Sequence, residues 1–172
     1  MQFKLHPTSW LELSKSALQN NIDFIQNKIG KDTILSSVIK GNAYGHDIEI
    51  YSKLAYECGV RHFSVYSAHE AERFLSAIKG EFTLLILGNL SDEEMIWAIE
   101  NEVEFYVINL SSLERTLKCA KISSKIAKIH LEFETGMNRT GIEFFHLEKV
   151  ISTLKENENL LELKGVCTHL AG

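Results

Sequence analysis

The strongest constraint in this sequence is an alternation of two side-chain periods. Short apolar runs rich in β-branched residues recur at Ile34–Ile39, Val60–Tyr66, Phe82–Leu87, Val103–Ile108, Ile126–Phe133 and Leu161–Thr168. Such runs read as strands, and the stretches between them carry apolar residues at helical spacing. A further helix precedes the first strand, with Leu18, Ile22, Ile25 and Ile29 on one face. Three helix starts fit the Ser-x-x-Glu capping box: Ser67 to Glu70, Ser91 to Glu94 and Ser111 to Glu114. In that motif serine and glutamate satisfy the orphan amides of the first turn.

Strand then helix, repeated without hairpin signals, predicts parallel strands joined by right-handed crossovers. Two α/β architectures suit this: an open doubly wound sheet or a (β/α)8 barrel. No Gly-x-Gly-x-x-Gly follows the first strand, which removes the main support for the dinucleotide-binding version and favours the barrel. The only proline is Pro7, and no linker or repeat divides residues 1–172, so one domain is expected. Six strands are two short of a closed barrel. The expectation is therefore the first six units of a barrel that continues in a longer protein.

Charge and composition narrow the partners. With 45% hydrophobic residues, 24% charged residues and a net charge of -5, the chain has the profile of a globular protein without affinity for nucleic acid. No run is apolar enough to span a membrane, and Met1 to Trp10 lacks the layout of a secretory signal. Cys58, Cys119 and Cys167 are dispersed and read as reduced thiols in a cytoplasmic protein. No paired ligands suggest a metal, and His62 and His69 have no third ligand nearby. A small molecule is the expected partner.

The segment richest in chemistry is Val38-Ile39-Lys40-Gly41-Asn42-Ala43-Tyr44-Gly45-His46. A lysine ending an apolar parallel strand stands where barrel enzymes carry their reactive groups. Partly desolvated, it could form a Schiff base with an aldehyde cofactor. On position alone, a lysine snorkelling to the surface is the more ordinary reading.

The whole segment resembles the alanine racemase signature Val-Val-Lys-Ala-Asn-Ala-Tyr-Gly-His-Gly, with Gly41 in place of alanine and Asp47 in place of the last glycine. Two more stretches resemble that family in the same order. His130 to Gly141 is similar to His-x-Lys-x-Asp-Thr-Gly-Met-x-Arg-x-Gly, and Gly165 to Ala171 is similar to a Gly-x-x-Thr-His-Phe segment. Trp10 to Ser14, followed by Leu18 and Asn21, resembles the family's opening strand and helix.

The resemblance implies pyridoxal 5'-phosphate (PLP) held on Lys40, with Tyr44 at its phosphate and His169 stacked on its ring. It implies that Arg139 binds the carboxylate of an amino-acid substrate, for which a planar guanidinium is suited. Where the family has a carbamylated lysine supporting that arginine, this chain has Glu132, a carboxylate that could pair with Arg139 directly. Glu134 replaces the family's aspartate. The implied reaction is interconversion of L- and D-alanine, with Lys40 carrying the Cα proton on one face. In the family the opposite base is a tyrosine from the carboxy-terminal β domain of a partner subunit. The expected parent is accordingly a homodimer with a shared site, and the chain alone is expected to be inactive. Other readings are a non-catalytic PLP-binding protein on the same barrel, a decarboxylase relative, and an inert fragment. The Asn-Ala-Tyr-Gly-His and Thr-Gly-Met-x-Arg runs speak against the first two.

Overall fold

The computed structural model describes residues 8–170. Pro7 and the residues before it, and Ala171 and Gly172 at the end of the last motif, lie outside the described residues. Six parallel strands form one sheet in the order β1-β2-β3-β4-β5-β6: Ser36–Val38, His62–Val65, Thr83–Ile86, Glu104–Val107, Ala127–Glu132 and Leu161–Cys167. The helices are α1 (Lys15–Ile29), α2 (Lys40–Tyr44), α3 (Ile48–Glu57), α4 (Ala68–Ala77), α5 (Asp92–Glu100), α6 (Leu110–Ser123) and α7 (Leu147–Glu156).

Strand order follows chain order without a reversal, which excludes the doubly wound sheet and is the winding of a barrel. Each strand lies inside its expected range and is shorter by one to three residues at its ends, where the chain leaves the ladder. The expected opening strand at Trp10 to Ser14 is not a member of the sheet. Ser14 instead caps α1, accepting from the Ala17 amide at 3.3 Å.

Alternate residues of a strand face opposite sides of a sheet. The register puts Phe63 beside Leu84, and Val65, Ile86, Phe105 and Ile129 in one row. This is the helix-covered side, and Phe63, Val65, Ile86, Phe105 and Ile129 are completely buried. Phe63 meets Phe74 of α4 at a tilt and Phe74 meets Phe82 edge-to-face, with ring centroids 4.7 and 5.0 Å apart. Burying a side chain of this size stabilises the fold by about 1.5–3 kcal/mol.

The other side of the same strands is polar. Ser36 Oγ lies 2.7 Å from His62 Nδ1 and 2.8 Å from Ser64 Oγ. His130 Nε2 lies 2.6 Å from Glu104 Oε2. Tyr106, Glu132 and Cys167 share this side, since Tyr106 pairs with His130 and Glu132 with Cys167. The His130 ring lies against Gly165, where a Cβ would come within 2.6 Å of Nδ1. The glycine is a requirement of that close approach.

The helix starts differ in detail from expectation. Ser91 and Glu94 form both halves of a capping box at α5. At α6 the cap is Asn109 with Ser112, because the Asn109 carboxamide already accepts from the Ser112 amide at 2.7 Å. That starts the helix before the expected Ser111. At α4, Ser67 accepts from the Glu70 amide, but the Glu70 carboxylate does not return to the Ser67 amide. Among the described residues no helix is long and apolar enough to cross a membrane.

Candidate active site

The carboxyl ends of the six strands surround one cleft of about 540 Å³. Its walls include Lys40 and Tyr44 after β1, Tyr66 after β2, Asn89 after β3 and Tyr106 on β4. Glu132 ends β5, Arg139 and Thr140 lie in the loop beyond it, and Cys167, Thr168 and His169 close the circuit from β6. All five residues singled out in the sequence, Lys40, Tyr44, Glu132, Arg139 and His169, thus line the same space. Lys40 and His169 are 129 residues apart in sequence, and only the parallel winding brings them together.

The segment after β1 has an uncommon backbone. Gly41 (φ 63°, ψ 42°), Asn42 and Ala43 (both φ 55°, ψ 46°), Tyr44 (φ 53°) and Gly45 (φ 90°) form a left-handed turn. For an L-residue this conformation costs roughly 1–2 kcal/mol, so Asn42, Ala43 and Tyr44 together oppose it by about 3–6 kcal/mol. Hydrogen bonds offset that cost. Ala43 N donates to the Ile39 carbonyl at 2.8 Å, Asp47 N to the Asn42 carbonyl at 3.1 Å, and Ile48 N to Asn42 Oδ1 at 3.1 Å. Glu70 Oε1 accepts from Gly41 N at 2.7 Å and Asn42 N at 3.3 Å, while Oε2 accepts from Tyr66 N at 2.8 Å. Gly41 has nothing within 4 Å of an added Cβ, so glycine there relieves backbone strain and does not answer crowding.

This turn directs the Lys40 and Tyr44 side chains to the cleft. Lys40 Nζ meets no hydrogen-bond or ion-pair partner among the described residues, so that its amine, once deprotonated, is free to meet an aldehyde carbon. Tyr44 is 65% exposed, with its side chain on the cleft wall.

Across the cleft, Arg139 and Glu132 do not form the direct ion pair expected from the sequence. Glu132 is buried, and both carboxylate oxygens accept from the Thr140 hydroxyl at 3.1 Å. The Arg139 side chain is exposed and belongs to none of the ion pairs among the described residues. Its guanidinium is therefore open to a carboxylate from outside. The loop bearing it is held by Glu134, whose carboxylate accepts from the Gly136 amide. Backbone hydrogen bonds from Asn138, Gly136, Arg139 and Met137 keep the Glu134 carboxyl below the usual range. Thr135 Oγ1 meets Thr168 Oγ1 at 2.6 Å, joining this loop to the segment that bears His169.

Tyr66 and Tyr106 are wall residues that carry no functional reading in the sequence. Both face the cleft, and Tyr66 is 57% exposed. Burial pushes the Tyr106 phenol well above its usual range, with a hydrogen bond to Cys167 adding to the effect. Burial likewise raises the Cys167 thiol. Glu70 stands behind the wall, on the backbone amides of Gly41, Asn42 and Tyr66, and its only sequence signal is the capping box.

An amine, phenols, an imidazole and a guanidinium in one cleft suit a phosphate-bearing aldehyde: the amine meets the carbon, and the other groups donate to anions. No group of three or more His, Cys, Asp or Glu residues able to hold a metal occurs among the described residues. A family model described as "Alanine racemase, N-terminal domain" matches residues 13–172. An alanine racemase of Leptospira interrogans is 32% identical over 165 residues, covering 95% of this chain and 41% of the relative. The structure of alanine racemase from Bacillus anthracis with bound L-Ala-P is 33% identical with a TM-score of 0.85, covering 98% of this chain and 43% of that one. A histidine racemase from Leuconostoc mesenteroides, 22% identical with a TM-score of 0.83 over 93% of this chain and 42% of that one, shares the fold. The chain thus spans less than half the length of these relatives, and it belongs to the family of alanine racemase amino-terminal barrel domains.

Proposed function

We propose that this chain is the cofactor-holding barrel portion of a PLP-dependent amino-acid racemase, with alanine as substrate. The observation that carries the reading is the convergence of Lys40, Tyr44, Arg139 and His169 on one cleft at the carboxyl ends of the strands. PLP, when bound, supplies an electron sink for charge developing at the substrate Cα. Lys40 would hold the cofactor and, once released, take or return the Cα proton at its Nζ. Tyr44 would donate its hydroxyl to the phosphate, and His169 would lie against the ring. Arg139, free of an internal ion pair, would orient the substrate through its carboxylate. Glu132 would support it across the cleft, through the Thr140 hydroxyl in the structure as it stands.

Racemisation needs a second proton carrier on the opposite face of Cα. We assign that to a partner subunit in a cytoplasmic homodimer of a longer protein, and expect the 172-residue chain alone to be inactive. Alanine is favoured by the names of the relatives; the fold itself does not select a side chain, since a histidine racemase shares it.

The test is borohydride reduction of the purified chain with PLP, followed by peptide mass mapping. A pyridoxyl group on Lys40 and not on other lysines is the expected result, and scattered or absent labelling would overturn the assignment. Incubation of the chain with each alanine enantiomer should show no interconversion. Turnover by the chain alone would overturn the part of the proposal that puts the second proton carrier in a partner.

A further inference from the structure

The left-handed turn that presents Lys40 and Tyr44 is not secured by its local hydrogen bonds alone. Its two leading amides, Gly41 N and Asn42 N, point away from the right-handed pattern and are satisfied by a residue 29 positions later. Glu70 stands at the third position of α4, where a capping-box glutamate would bond the amide of Ser67. Instead one carboxylate oxygen takes Gly41 and Asn42 while the other takes Tyr66. A helix-capping residue has thus been diverted to join the ends of β1 and β2. One turn further on the same helix face, Arg73 forms a two-pronged pair with Glu49 at 2.7 and 2.6 Å, holding the start of α3. Glu70 thus holds the turn itself, while Arg73 anchors the first turn of α3 beyond it.

We propose that Glu70 is a positioning residue of the cleft, acting through the backbone of the left-handed turn to set where Lys40 and Tyr44 meet a phosphate-bearing aldehyde. The proposal rests on the PLP reading for its ligand, but the clamp on the turn stands independently of it. A carboxylate is suited because it offers acceptors on both oxygens and no donor. Glutamine keeps the size but turns an NH2 group toward one of the amides, so it cannot satisfy all of them. The charge also strengthens each bond to an amide.

The experiment compares the 172-residue chain with Glu70→Gln and, as a control on the same helix face, Arg73→Met. Amide hydrogen exchange is measured without cofactor, and borohydride labelling is mapped at PLP concentrations below saturation. For Glu70→Gln, exchange at Gly41, Asn42 and Tyr66 should accelerate by about tenfold or more while β3 to β5 stay protected. Labelling of Lys40 should fall by a similar factor, and Arg73→Met should leave it near the wild-type yield. Unchanged exchange at Gly41 and Asn42 would overturn the clamp. Faster exchange with undiminished Lys40 labelling, or an equal loss in Arg73→Met, would overturn the positioning role. Should the wild-type chain take no label at Lys40, the PLP reading fails, and the exchange measurement still decides whether Glu70 holds the turn.

Discussion

His130 Nε2 lies 2.6 Å from Glu104 Oε2, joining strands β5 and β4 through a contact enclosed on the polar side of the sheet. Burial pushes the Glu104 carboxyl up, and the hydrogen bond from His130, aided by charge on His130, Lys164 and His62, brings it below the usual range. A carboxylate depressed in the folded state contributes stability above its unfolded value of about 4.3 and loses it as pH falls through the folded value. Glu104→Gln should therefore lower the unfolding free energy by about 1–3 kcal/mol at neutral pH. The difference from wild type should shrink in acid, where Glu104 itself becomes neutral. Urea unfolding at the two pH values measures both; a deficit that persists unchanged in acid would mean that the charge is irrelevant.

Gly165 tests the same neighbourhood by volume. A Cβ there would sit 2.6 Å from His130 Nδ1 and 3.1 Å from Cε1. Gly165→Ala should cost about 1–3 kcal/mol through overpacking. In a His130→Ala background the same change should cost much less, because the ring that it strikes is gone. Additive effects in this double-mutant cycle would show that the ring moves aside without strain.

How much of this could be read from residues alone depends on where the determinants lie. The strands and their order follow from local periodicity and from capping at Ser91 and Glu94, both short-range signals. Asn109 was missed because a serine two residues later fitted the same motif, which shifted the expected helix start. The convergence of Lys40, Arg139 and His169 came from resemblance, as nothing in their spacing implies a shared cleft. The left-handed turn was not legible. Gly41 and Gly45 permit it, but Ala43 and Tyr44 oppose it, and the residue that holds it is remote in sequence. Pairing Glu132 with Arg139 rests on the family position that Glu132 occupies and on its charge. The intervening loop turns so that Thr140 meets the carboxylate instead.

The pair between Arg73 and Glu49 provides a second acid-sensitive contact, on the outside of the turn. The Arg73 hydrogen bond holds the Glu49 carboxyl down at about 2, against burial, which acts in the opposite direction. Its stabilising contribution is present above the ordinary carboxylate value of about 4.3 and is lost as pH falls toward about 2. NMR titration of the glutamate side-chain carbonyls should find Glu49 among the last to protonate. In Arg73→Met it should return toward the ordinary value. A Glu49 titration unmoved by that substitution would assign the depression to the backbone and Asp47 contacts alone.

Two alanine-sized tests separate backbone strain from packing. Ser124 closes α6 at φ 52°, ψ 33°, is exposed, and sits where glycine ends many helices. Ser124→Gly should raise stability by about 0.5–1 kcal/mol, since it removes left-handed strain and no buried contact. Ala43 has nearly the same φ, 55°, but is only 3% exposed. There the relief of about 1 kcal/mol is offset by loss of a buried methyl group worth about 0.8 kcal/mol, so Ala43→Gly should change stability little. Thermal unfolding of the two variants gives the comparison. Equal stabilisation would mean that the Ala43 methyl contributes nothing to the packing beneath the turn. A clear loss at Ala43 alone would mean that the turn is secured by that methyl as well as by the hydrogen bonds that surround it.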